Sequence, residues 1–110
     1  MDSDRSGLHV VVDEPDEGGR AVVVAQGVVG PERGTELIET LADLAARGFR
    51  EIVLDVNRME FEDASGVGLL VRAQREVEAA GGRLRLRRVP APARRMLLQT
   101  GAGPALGVGW

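Results

Sequence analysis

The stretch MEFEDASGVGLLVRAQREVEAAGG, residues 59–82, decides how the rest of the chain is read. It leaves the apolar run EIVLDV as a loop and becomes an amphipathic helix at Ser65 and Gly66. At helical spacing Val67, Leu70, Val71, Ala73, Val77 and Ala80 share one arc, while Arg72, Arg75, Glu76 and Ala79 fall on the other. Asp63 and Ser65 are both suited to cap the first turn, because a short side-chain oxygen accepts from its free N–H groups. Gly81 and Gly82 supply the stop. The reading offers a serine hydroxyl to solvent at the positive end of a helix, beside a carboxylate and two glycines.

Outward from that stretch, LHVVVD (8–13) reads as a short strand, EPDEGG (14–19) as a turn, and RAVVVAQG (20–27) as the second arm of a hairpin. In TELIETLADLAARG (35–48), Leu37, Ile38, Leu41, Leu44 and Ala45 recur at helical spacing. Thr35 is placed as that helix's N-cap, and Gly48 ends it. REIVLDV (50–56) is too apolar to have an exposed face and reads as a central strand. RLRLRRV (83–89) alternates Arg with Leu, the pattern of a strand with one solvated face. Prolines 90 and 92 suit the first turn of a short helix over 93–100, ended by Gly101, and LGVGW (106–110) reads as a closing edge strand.

The order predicts one α/β domain over residues 1–110. Its mixed, mostly parallel sheet of four to five strands packs against three to four helices, with only the opening hairpin antiparallel. The first six residues are polar and are expected to be loose.

Composition narrows the chemistry. The chain has no Cys and a single His9, which argues against disulfides, thiolate nucleophiles and a metal centre. No apolar run approaches the ~20 residues of a membrane span. The N-terminus lacks signal-peptide anatomy, so a cytoplasmic protein is expected. All fourteen basic residues are Arg. Residues 1–78 hold all seventeen acids against eight Arg, while residues 79–110 hold six Arg and no acid. With three aromatics in all, that basic end lacks the stacking platform of a nucleic-acid reader. There is no GxxxxGK[ST] loop, no GxGxxG after a strand and no nucleophile–base pair, so neither an enzyme nor a cofactor is expected.

FEDASGVGLLVRA, the preceding apolar strand and the later AGGRLRLRRVPAPARRMLLQTGA together resemble the STAS domain, the fold of anti-sigma factor antagonists and of the cytoplasmic tails of sulfate transporters. The family's site segment runs hydrophobic, any residue, Asp, Ser, Ser, Gly, hydrophobic, Gly, hydrophobic, Leu. Here it is Phe61, Glu62, Asp63, Ala64, Ser65, Gly66, Val67, Gly68, Leu69, Leu70. The resemblance spans about residues 8–108. It implies a phosphorylation site at Ser65, modified by an anti-sigma factor that is itself a serine kinase and reset by a serine phosphatase. It also implies a partner surface over Glu62, Asp63, Ala64, Ser65, Gly66, Val67 and Gly68. The chain departs from the family after the second strand, where a common Gly-hydrophobic-hydrophobic-Asp becomes Gly27-Val28-Val29-Gly30. Gly30 holds the place of the acid, and Glu32 offers a carboxylate from a shifted position. The alternative is a STAS subunit that is not phosphorylated and regulates a transporter or signalling complex.

Overall fold

A computed structural model describes residues 11–12, 19–28, 31–60, 65–101, 103 and 106–107. The elements follow as β1 (Val11–Val12), β2 (Arg20–Val28), α1 (Pro31–Ala46), β3 (Glu51–Glu60), α2 (Ser65–Ala79), β4 (Arg83–Arg87) and α3 (Ala91–Thr100). The strands form one sheet in the order β1-β2-β3-β4. β1 runs antiparallel to β2, and β2, β3 and β4 are mutually parallel. This is the α/β architecture expected from the sequence, with β3 at the centre.

Strand alternation sorts the sheet into two faces. Ala21, Val23 and Ala25 of β2, Ile52, Leu54 and Val56 of β3, and Leu84 and Leu86 of β4 join one core with Leu37, Leu41, Leu44, Leu70, Val77 and Leu97 of the helices. Because β2, β3 and β4 are neighbours in chain order, right-handed crossovers lay α1 and α2 on the same face. The α2 periodicity holds: Val67, Leu70, Ala73 and Val77 are buried, whereas Arg72, Arg75, Glu76 and Ala79 are exposed.

The helices stop where glycine permits. Gly81 takes φ +98°, and the Gly82 N–H donates to Val77 O at 2.9 Å, closing α2 with its last carbonyls satisfied. At the other end of the helical pair, Gly34 of α1 is buried, and a Cβ there would collide with the Leu69 side chain. Glycine at position 34 therefore sets how closely the first halves of α1 and α2 approach.

Several boundaries differ from the sequence reading. Helix α1 starts at Pro31, whose fixed φ suits a first turn, so Thr35 lies inside the helix and is not its N-cap. β3 continues to Glu60 where a loop was expected from residue 59. The pairing passes from Val24↔Asp55 to Gln26↔Arg58, so β3 carries one extra residue and recovers register with β2 beyond this bulge. β4 ends at Arg87 because Arg88 adopts φ +55°, which breaks the extended chain. α3 begins two residues early, at Ala91. The closing strand is not formed at its first two residues. Leu106 N–H donates to Gly103 O at 3.0 Å, and Leu106 turns into the core. Residues 108–110 of that expected strand, and most of the 8–13 strand and 14–19 turn, lie outside the described residues. None of the described helices is long and apolar enough to cross a membrane.

Candidate functional site

Parallel strands joined by crossovers bring the start of each helix to one edge of the sheet. α1 begins just after β2, α2 after β3 and α3 after β4. Ser65 is the first residue of α2, as its sequence suggests. Gly66 and Val67 follow and are buried; the Val67 side chain packs in the core, so its part at this edge is to seat the helix on the sheet. Gly68 is exposed, and a Cβ added there would meet nothing within 4 Å. Leu69, half-buried, packs over Gly34 and thereby ties the start of α2 to α1. Glu32 lies in the first turn of α1, on the helix whose neighbouring turn carries Gly34. Glu62, Asp63, Ala64 and Gly30 lie outside the described residues, as do the side chains of Ser65 and Glu32.

Beside the start of α2, the end of β3 and the start of α3 enclose a shallow hollow of about 260 Å³ lined by Met59, Glu60, Pro90, Pro92 and Ala93. The strand order never reverses among the parallel strands. Among the described residues the sheet therefore has no switch-point crevice of the kind in which open α/β folds hold nucleotides. Small residues at a helix start, an exposed glycine and a shallow hollow make a surface suited to a close protein contact.

On the other face of the sheet lies a group that the sequence reading did not single out. Asp55, only 1 % exposed, is the buried charged residue of the described core. Its Oδ1 accepts from the Asn57 backbone N–H at 3.0 Å, a donor freed by the β3 bulge. Its Oδ2 accepts from Arg87 Nε (3.3 Å) and Nη2 (3.1 Å) and from Arg88 Nε (2.9 Å). Successive strand residues point to opposite faces, so two adjacent arginines reach one carboxylate here because Arg88 has left the extended conformation. Burial alone would raise the Asp55 carboxyl, but the Asn57 N–H and the Arg87 and Arg88 guanidiniums outweigh it and hold the group below its ordinary value. The signal was present in the sequence: an acid inside the apolar run EIVLDV must find partners once that strand is central.

Comparison with known proteins agrees with this geometry. Solved structures similar to this chain include the anti-sigma factor antagonist SpoIIAA in its unphosphorylated form. That match has a TM-score of 0.68 and 24 % identity over 87 % of this chain and 84 % of that one. An anti-sigma factor antagonist from Mycobacterium paratuberculosis matches with a TM-score of 0.70 and 21 % identity over 96 % of this chain and 88 % of that one. An antisigma-factor antagonist STAS domain from Rhodobacter sphaeroides matches with a TM-score of 0.59 and 17 % identity, covering 77 % and 90 %. No curated protein sequence matches the chain. At these identities the structures speak for the fold, and the family follows from the family model. Residues 12–106 match the model described as "Mlab, STAS domain", and the chain belongs to the STAS domain family.

Proposed function

We propose that this protein is an anti-sigma factor antagonist that works as a partner switch through Ser65. Unmodified, it binds an anti-sigma factor of the serine-kinase type and so frees the sigma factor. Phosphorylated on Ser65, it lets the anti-sigma factor go, and a serine phosphatase resets it. The protein is then a substrate and a ligand, with no catalysis of its own. The partner surface comprises Glu62, Asp63, Ala64, Ser65, Gly66, Gly68, Gly30 and Glu32, with Val67 holding the helix in place.

The observation that carries this reading is that α2 starts at Ser65 and presents exposed Gly68 one turn later, in a chain of the STAS family. A phosphate at a helix N-terminus meets the positive end of the helix dipole, worth roughly 0.3–1 kcal/mol, so the domain tolerates it. A partner pressed on the same spot meets about −1.5 to −2 added charge, beside the carboxylate of Glu60, which is exposed at the end of β3. A loss of about 2.7 kcal/mol there weakens the complex ~100-fold.

The test is incubation with the anti-sigma kinase and ATP, followed by mass spectrometry and a binding titration of Ser65→Ala and Ser65→Asp. Incorporation at Ser65, retained binding by the alanine variant and about 100-fold weaker binding by the aspartate variant are expected. Equal binding by both variants would sink the switch. A second reading, a STAS subunit that binds its complex without phosphorylation, is favoured by Gly30 standing where family members commonly carry an acid. Absence of incorporation with a retained complex would select it.

A further inference from the structure

The face of the sheet away from the helices is built from two clusters of the same composition. Glu51 lies between Arg20 (Nε–Oε1 3.9 Å) and Arg85 (Nη1–Oε2 3.5 Å). Asp55 lies between Arg87 (3.1 Å) and Arg88 (2.9 Å). Among the described residues, each cluster sets two guanidiniums against one carboxylate and is one anion short of balance. The two carboxylates stand four residues apart on β3, about 13 Å at strand rise. Val53 sits between them, at a hollow of about 200 Å³ bordered by Arg20, Glu51, Arg85, Arg87 and Gly107. Arg83 adds a further exposed charge to the same face of β4. Among the described residues, five arginines against two carboxylates leave a surplus of three positive charges on this face.

The arginines are oriented as well as charged. Asp55 is buried and fixes two of them, while Arg87 and Arg88 remain 44 % and 60 % exposed. Each guanidinium has five donors, so most of them still face outward. Arg88 stands at φ +55°, a left-handed conformation that a residue with a Cβ adopts only under strain. That strain gathers a second guanidinium at the same point.

We propose that this face docks an acidic segment of a partner protein, an extended run rich in carboxylates. The forked guanidinium matches a carboxylate in two-point geometry, and Arg20, Arg85, Arg87 and Arg88 are the exposed groups that present it, while Val53 beneath them is buried. A phosphate backbone gains from an unbroken positive surface, whereas here Glu51 and Asp55 stand inside the arginine field. The described residues of this face include no aromatic for base stacking and no apolar side chain raised for entry into a bilayer. The surface is separate from the Ser65 edge and does not depend on how that serine is used.

The test uses the full chain and a fluorescein-labelled peptide, Gly-Ser-Glu-Glu-Val-Glu-Glu-Ser-Gly, followed by fluorescence anisotropy. Saturable binding is expected, weakening about tenfold as salt rises from ~0.05 to ~0.3 M. Arg85→Glu, a half-exposed site that leaves the Asp55 cluster intact, should lose at least about tenfold in affinity. Arg72→Glu makes the same charge change on the exposed side of α2 and should keep affinity within about twofold. Equal losses in the two variants would reduce the effect to net charge and overturn the site. So would the absence of peptide binding together with binding of a duplex DNA oligonucleotide or of phosphatidylglycerol vesicles. A wild-type dimer that Arg85→Glu dissociates in sedimentation would assign the face to a second copy and also overturn it. Ser65→Asp should bind the peptide as wild type does, so failure here and failure of the switch are told apart.

Discussion

The two sides of this small sheet solve opposite problems with the same three parallel strands. On the helix side, Ile52, Leu54 and Val56 of β3 meet the apolar sides of the helices, and Gly34 faces Leu69 where α1 and α2 meet. On the open side, the intervening residues Glu51, Val53 and Asp55 meet arginines, and the order comes from charges shared around two carboxylates. Close packing is intolerant of volume and indifferent to pH. A buried carboxylate is the reverse, so the two sides should fail under different insults.

The largest expected effect tests the open side. Asp55→Ala leaves Arg87 and Arg88 without their shared anion and the Asn57 N–H without its acceptor. Both guanidiniums are half-exposed and keep their hydration, so the cost is that of the lost charge-assisted hydrogen bonds, about 1.5–3 kcal/mol, read as a loss of chemical-denaturation stability. If the loss is below about 1 kcal/mol, Asp55 does not organise this face.

The same group predicts the acid limb of stability. Its folded-state pKa is lowered, so its contribution is fully present above the ordinary value of 3.8 and is lost as pH falls through the lower folded-state value. A pH series of denaturation curves should therefore show wild type losing its advantage over Asp55→Asn below about pH 4. An advantage unchanged in acid would show that the carboxylate's charge is not what matters.

Gly34→Val tests the other side. Its added carbons collide with the Leu69 side chain, whose half-exposed end must turn aside, so the cost should be about 1 kcal/mol, the low end for overpacking. Leu69→Ala in the same chain should recover much of that loss, which a double-mutant cycle measures. An additive pair would mean that α1 and α2 are not seated through this contact. The smallest effect is a gain. Gly68 is exposed inside a helix with open space around it, so Gly68→Ala should stabilise the free protein by about 0.5–1 kcal/mol. If the same change weakens partner binding, the glycine is kept for close approach; unchanged binding would remove Gly68 from the surface.

Much of this was legible in the chain. The arc of Val67, Leu70, Ala73 and Val77 named the buried side of α2, because a helix must turn its apolar stripe inward. Alternating Arg and Leu gave β4 its inside and outside, and Gly81 with Gly82 marked the end of α2. Ser65 stood at the start of α2 in the sequence and stands there in the fold. The misplaced boundaries share a cause. Thr35 looked like a cap because capping residues also occur inside helices, and Pro31 had already started the turn. β3 looked finished at Val56 because Asn57, Arg58 and Glu60 are polar, yet β2 still offered three residues to pair with beyond the bulge.

Periodicity and turn chemistry are local, so the sequence alone determined which segments are helix or strand, which sides they bury and where the serine falls. Tertiary structure alone decided that Gly34 meets Leu69 and that Asp55 gathers Arg87 and Arg88 from more than thirty residues away. Those partners are chosen by strand register and by one backbone angle at Arg88. Neither leaves a periodic trace along the chain.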